Sequence, residues 1–335
     1  MRQFSSPMKT LKRRLVTIPA LVFVTLILLV STPVMVVALA IADVVRGRSS
    51  ALLPTWLMLT FFCCSELVGL FGTIVIMPVA LAGRGPYLTA NYWLQRYWVW
   101  SVFRFSAWVN GMTLEFGDLS EIATGPRLLL SRHTSLIDTG LAPTVLRHFG
   151  IRSRYILKEA LRADPAMDVV GGRVDMAFVS RRNRDDDLER IRSVCRDMLP
   201  QDTIILYPEG TRFESAVREK IVARFEANGQ PDKAEYARSL RHTLPPRPAG
   251  TLAALDEALS QPNPPAVVFW AHVGFERAVR FKDVLNGGLK GATVRVRAWR
   301  VPASEVPASD EARIEWLNHW WTTIDQWVAE NLPVP

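Results

Sequence analysis

Cysteine is scarce in this 335-residue chain, where only Cys63, Cys64 and Cys195 occur. Two of them lie side by side in an apolar run and none has CxxC spacing, so neither a disulfide framework nor a zinc site is indicated. A reducing compartment is compatible with that usage. No GxSxG sequence supplies a nucleophilic serine on a strand-to-helix turn, which excludes a hydrolase of that design. No HExxH pair is present either, which argues against a metal hydrolase of that spacing. Internal repeats and low-complexity tracts are missing. Negative charge is in deficit: 40 lysines and arginines stand against 32 acidic residues, a formal net charge of +8. That balance favours anionic partners such as phospholipid surfaces or phosphorylated metabolites. Nucleic acid fits poorly, because the aromatics cluster beside apolar segments rather than among the basic residues.

Long apolar runs, by contrast, are plentiful near the amino terminus. Leu15 to Ala42 carries no charge and exceeds the roughly 20 residues that cross a bilayer. It is too long for the apolar region of a secretory signal peptide and lacks a small-residue cleavage site. A second run, residues 51–83, is interrupted only by Glu66, whose ionisable group must face protein or mark a segment that bends back. Arg2, Lys9, Lys12, Arg13 and Arg14 precede the first run, and the positive-inside rule then places the amino terminus in the cytoplasm. The expected organisation is a basic cytoplasmic tail (1–14), a transmembrane hairpin (15–83) and an aromatic helix (84–112). A catalytic domain (113–305) and an amphipathic closing helix (306–335) follow. The protein would be a multi-pass protein of the cell membrane with its catalytic domain on the cytoplasmic face. Trp93, Tyr97, Trp100 and Phe103 fall at helical spacing with Arg96 and Arg104 between them, which suits either a headgroup layer or a helix packed on the core.

Beyond residue 126 the pattern alternates. RLLLS, RYILK, MAFVS, TIILY, AVVFWAHV and TVRVRAW read as strands separated by helical stretches, predicting a layered α/β domain with a central mixed sheet. Ser309 is placed to cap a last helix whose Trp316, Trp320 and Trp327 form a stripe.

Within this pattern, SRHTSLID raises a chemical question. Five residues advance about 500° on a helix, leaving His133 and Asp138 about 140° apart, so they meet only if His133 sits in the turn after the strand and Asp138 faces back. A histidine oriented by a carboxylate is the arrangement a general base requires. A second stretch, TIILYPEGTRF, sends Glu209, Gly210, Thr211 and Arg212 off a strand end, where α/β folds bind ligands. Gly210 permits close backbone approach, Arg212 suits a phosphate, and Glu209 suits Arg212 or a substrate hydroxyl.

Together these two blocks resemble the signature of the glycerolipid acyltransferase family, and YILKEALRADP, FVSRRN and AVVFWAHVG are similar to its remaining motifs. The spacing after YPEGTRF and the tryptophan-rich last helix resemble the lysocardiolipin and lysophospholipid acyltransferase branch. The resemblance implies an acyl transfer in which His133 takes a proton from the acceptor hydroxyl as it attacks an acyl thioester, with Asp138 orienting His133. It further implies that Arg181 and Arg212, with Lys158 as a weaker candidate, hold the acceptor phosphate. Glu209, Gly210 and Thr211 would shape the pocket, with backbone amides near the turn as oxyanion donors. Acyl-CoA or acyl carrier protein would be the co-substrate, and no metal or organic cofactor is implied. The acceptor would be 1-acylglycerol-3-phosphate, giving phosphatidic acid, or alternatively a larger lysophospholipid. Arg132 departs from the family, which usually has asparagine there, and His272 has no counterpart, reading as a core or strand-edge residue. A non-catalytic membrane-anchored lipid-binding protein is the rival from another class, although it has no need of His133, Asp138 and Glu209 at these positions.

Overall fold

The computed structural model describes residues 7–47, 50–180 and 182–332, so Arg181 lies outside the described residues. Seven strands form one sheet: β1 (Thr113–Phe116), β2 (Arg127–Ser131), β3 (Arg152–Lys158), β4 (Ala177–Val179), β5 (Asp202–Leu206), β6 (Ala266–Val273) and β7 (Thr293–Val301). Their order is β1-β7-β6-β2-β5-β3-β4, and every pairing is parallel except that of β6 with β7. The fold is the expected α/β arrangement around a mixed sheet. β2, β5 and β6 are buried along their whole length, which is why each reads as an unbroken apolar run. β1 has no counterpart among the predicted strands, being a short, mostly exposed edge strand with no apolar run.

Helices α6 (Arg184–Cys195), α9 (Pro248–Leu259) and α11 (Asp310–Asn331) cover one face of the sheet. The other face carries α3 (Arg84–Asn110) and α4 (Leu141–Val145). In α11 the predicted stripe is core: Trp316 and Trp320 lie 5.0 and 4.6 Å from the Phe269 ring of β6, and Trp327 meets Trp299 of β7 at 6.2 Å. Ser309 caps this helix as expected, accepting the Ala312 N–H at 3.2 Å. Helix α3 packs one face on the core and leaves another exposed. Tyr92, Leu94 and Phe103 are buried, whereas Trp93, Tyr97 and Trp108 remain exposed.

Helices α1 (Pro7–Arg46) and α2 (Leu52–Val75) are long and apolar enough to cross a membrane by length and composition. From Pro7 onward the expected tail is helix continuous with the apolar run, not a separate segment. Arg13 Nη2 and Arg14 Nε donate to Asp168 at 2.5 and 2.8 Å, pinning the start of α1 to α5 (Pro165–Gly171). At its other end, the Ala51 N–H donates to the Leu285 carbonyl of α10 (Phe281–Leu285) at 3.0 Å, and Lys290 Nζ donates to the Ser50 carbonyl at 3.3 Å. Both ends of α1 are thus bonded to the same domain, and α2 packs between α1 and α3. Glu66 faces protein, as an ionisable residue in such a run must. It is buried and accepts the Ala166 N–H at 3.1 Å at the start of α5.

Candidate active site

Parallel strands deliver their carboxyl ends to one edge of the sheet, and this edge gathers the residues singled out above. His133 leaves β2 there, Glu209 leaves β5 beside it, and Lys158 ends β3 on the far side of β5. The chain turns out of the sheet where the Arg132 N–H donates to the Trp270 carbonyl of β6 at 3.0 Å. Regular helix does not begin directly after the strand. A single 3₁₀ turn starts at Asp138, followed by the short α4, because Gly140 and Pro143 disfavour a longer helix. In the turn between β2 and Asp138 the Thr134 and Ser135 N–H groups both donate to Asp138 Oδ2, at 2.6 and 2.8 Å.

Asp138 is fully buried and faces His133, whose Nδ1 lies 3.0 Å from Oδ1 and 3.2 Å from Oδ2. Burial opposes its charge, but His133 beside it and the hydrogen bonds hold Asp138 well below the usual carboxylate range. An ionised Asp138 fixes the His133 hydrogen on Nδ1 and leaves the Nε2 lone pair for a substrate proton. Nε2 carries no hydrogen bond among the described residues, and the side chain keeps 17% of its surface exposed. Tyr207 packs its ring 4.6 Å from that of His133, and the His133 carbonyl accepts the Phe213 N–H at 2.9 Å. Ring and backbone are thus both held.

Glu209 does not pair with Arg212. It is buried and takes one backbone donor on each oxygen, His133 N–H on Oε1 at 3.1 Å and Leu244 N–H on Oε2 at 2.9 Å. Its work here is to brace the histidine turn against residues 241–244. Those residues are held from the other side by Asp325 of α11, which accepts from Arg241 N–H, His242 N–H and Thr243 Oγ1. Burial pushes the Glu209 carboxyl up to about 8, against the pull of the two N–H groups and Arg132. Between the ordinary carboxylate value, about 4.3, and about 8, the folded chain keeps a proton that the unfolded chain has released, so stability falls as pH rises through that window. Glu209→Gln is expected to flatten this slope in thermal melts run from about pH 5 to about pH 8. It should also lower stability at all pH values by about 1–3 kcal/mol, because its amide turns a donor toward one N–H. An unchanged slope would contradict the protonation assigned to Glu209.

Of the phosphate-binding candidates, Arg212 and Lys158 lie on different strand ends. Arg212 Nη1 donates to the Val279 carbonyl at 2.6 Å, tying its loop to residues 274–280. Gly210 has φ +68°, the left-handed region that glycine adopts without strain, and its N–H closes the turn onto the Tyr207 carbonyl at 2.9 Å. That amide is therefore engaged within its own turn. Thr211 is half-buried beside it, and Lys158 is exposed at the end of β3.

Sequence reasoning missed the 274–280 segment, which borders the site through several bonds. Ser135 Oγ donates to the Ala278 carbonyl at 2.5 Å, and Glu276 accepts from Arg132 at 2.8 Å. Its one sequence signal is Gly274, with φ +105°, where a Cβ would come 2.4 Å from the Thr293 carbonyl oxygen. Among the described residues, no group of three or more His, Cys, Asp or Glu is placed to hold a metal ion.

Comparison with known families matches residues 114–248, fewer than half of the chain, to the family described as Acyltransferase. No curated protein gives a significant match. Among solved structures, the chain is similar to the 1-acyl-sn-glycerophosphate (LPA) acyltransferase PlsC from Thermotoga maritima. That match has a TM-score of 0.46 and 13% identity, over 79% of this chain and 98% of that one. A likeness at that level adds no weight, and the fold stands on the strand order described above. The family match does bear on the chemistry, since the matched segment contains His133, Asp138 and Glu209: this part of the chain resembles an acyltransferase domain.

Proposed function

We propose that the protein transfers a fatty acyl group from acyl-CoA, or from acyl carrier protein, to the free hydroxyl of 1-acylglycerol-3-phosphate, forming phosphatidic acid. The observation that carries this reading is the contact of His133 Nδ1 with the buried Asp138 carboxylate, with Nε2 left open at the sheet edge. In the reaction, Nε2 removes the acceptor's hydroxyl proton as that oxygen attacks the thioester carbonyl. The C–S bond then breaks and the proton passes to the departing thiolate. No acyl-enzyme is needed. Arg212, Lys158 and Arg181 are proposed to meet the acceptor phosphate, and Glu209, Gly210 and Thr211 to shape its pocket. Residues of this loop are candidates for stabilising the tetrahedral oxyanion.

We read the apolar pair α1–α2 as the membrane-associated part. Phe23, Val30, Val34, Val44 and Val45 are exposed on α1, as are Val68 and Phe71 on α2, while Trp93, Tyr97 and Trp108 of α3 supply rings suited to the headgroup layer. With both ends of α1 bonded to the catalytic domain, the proposed association is with one leaflet. Lys9, Lys12, Arg13 and Arg14 favour the cytoplasmic one.

The test is acyl transfer by the detergent-purified chain, given labelled acyl-CoA or acyl carrier protein and a panel of lyso-acceptors, beside His133→Ala. Transfer to 1-acylglycerol-3-phosphate that His133→Ala abolishes is the expected result. Preference for a larger lysophospholipid would move the reading to phospholipid reacylation. Absence of transfer to every acceptor, in a protein that melts cooperatively, would favour the lipid-binding alternative.

A further inference from the structure

His272 is fully buried on β6, and β6 is the sheet neighbour of β2, the strand that ends at His133. Its Nε2 lies 3.3 Å from the Arg132 carbonyl and 3.6 Å from Asp138 Oδ2. Both neighbours are acceptors at the contacting atoms, so the ring hydrogen belongs on Nε2, directed between them. The opposite ring nitrogen, Nδ1, is buried with no hydrogen-bond partner among the described residues, and the Phe275 ring packs edge-on at 5.5 Å. A core histidine placed only for packing does not need to aim its donor at a catalytic carboxylate. Asp138 therefore lies between two histidines, one facing the site and one buried beneath it.

We infer that His272 is a positioning residue for the His133–Asp138 pair. Through the Arg132 carbonyl it fixes the backbone one residue before His133, and through its N–H dipole it stabilises the Asp138 anion. The inference rests on the acyltransferase reading only for its effect on turnover. The effect on the pair itself stands apart from any reaction.

The charged and titratable groups facing Asp138 are His133 from the turn after β2, His272 from β6, and Tyr207 and Glu209 from the end of β5. Arg132 directs its guanidinium elsewhere, to the carbonyls of His242 and His272 and to Glu276. Removing the His272 donor makes the carboxylate a less stable anion. The protonated form of the pair gains relative to the unprotonated form, and its midpoint rises.

The test uses the full-length chain in detergent, labelled with ¹⁵N on its five histidines, and follows the His133 ring signals against pH by NMR. His272→Phe is expected to move the His133 midpoint up by about 0.5–1 pH unit. His272→Gln, whose side-chain amide can supply a donor near the original Nε2, should keep it close to wild type. If His272→Phe does not fold, His272→Asn serves, since its shorter amide stays polar without reaching Asp138. An unchanged midpoint in a folded Phe or Asn variant overturns the inference, as does a shift of equal size in the Gln variant. Should acyl transfer also be measurable, the acid limb of kcat/KM moves with the midpoint. A wild-type chain that transfers nothing yet shows the NMR shift would separate failure of the proposed reaction from failure of this inference.

Discussion

Asp138→Asn is expected to lower kcat for acyl transfer by about 10³–10⁴-fold while the chain still folds. The asparagine carbonyl can accept the Thr134 and Ser135 N–H groups that now bond to Oδ2. Its NH₂ then faces His133 Nδ1, where a carboxylate oxygen lay 3.0 Å away. The imidazole meets that donor with a lone pair on Nδ1, so its hydrogen moves to Nε2 and the base is turned the wrong way. The same substitution has a second signature in stability. The folded Asp138 carboxyl sits below its unfolded value, so it contributes stability above the ordinary carboxylate range and loses it as pH falls through and below that range. Wild type should therefore weaken below about pH 4 more steeply than Asp138→Asn. Turnover within about tenfold of wild type would remove the orienting role from Asp138.

How far the sequence announced this arrangement depended on the range of the interaction. β6 was legible because a strand buried on both faces needs an unbroken apolar run, while β1 was not, since a short exposed edge strand needs none. His133 and Asp138 were legible because their contact is local, closed by a turn of six residues. Glu209 stood out in the sequence at the end of a strand, but its partners did not. Arg212, one of the two partners foreseen for it, is bonded to Val279, and the donors that Glu209 accepts from are residues 133 and 244, which only the sheet order brings together. His272 was opaque for the same reason: β2 and β6 are neighbours in the sheet but far apart in the chain. The membrane hairpin shows a different gap. Apolar length is written in the sequence, yet whether a helix pair projects from a domain or lies along it is decided by single contacts such as Arg13 with Asp168 and Ala51 with Leu285.

Arg132→Met should have the largest effect on stability, about 3 kcal/mol or more, a fall of about 6–10 °C in the melting temperature. The guanidinium is fully buried next to His133 in the chain. Nη1 donates to the His272 carbonyl at 2.6 Å and to Glu276 Oε1 at 2.8 Å, while Nε and Nη2 both reach the His242 carbonyl, at 3.2 and 3.0 Å. One side chain thereby joins β2, the end of β6 and the 241–244 segment that Glu209 also braces. An asparagine, which the resembled family usually has here, is too short to span all three. Methionine fills much of the volume but leaves the buried His272 carbonyl and the half-buried His242 carbonyl without these donors and Glu276 without its counter-charge. Burial works against the Glu276 charge, and Arg132 is the main group holding that carboxyl below its usual range. Adding Glu276→Gln should therefore recover part of what Arg132→Met loses, so the double variant is more stable than the sum of the two single losses. Strict additivity would mean that the guanidinium acts through the carbonyls alone. A wild-type melting temperature in Arg132→Met would mean that the three segments hold together without it.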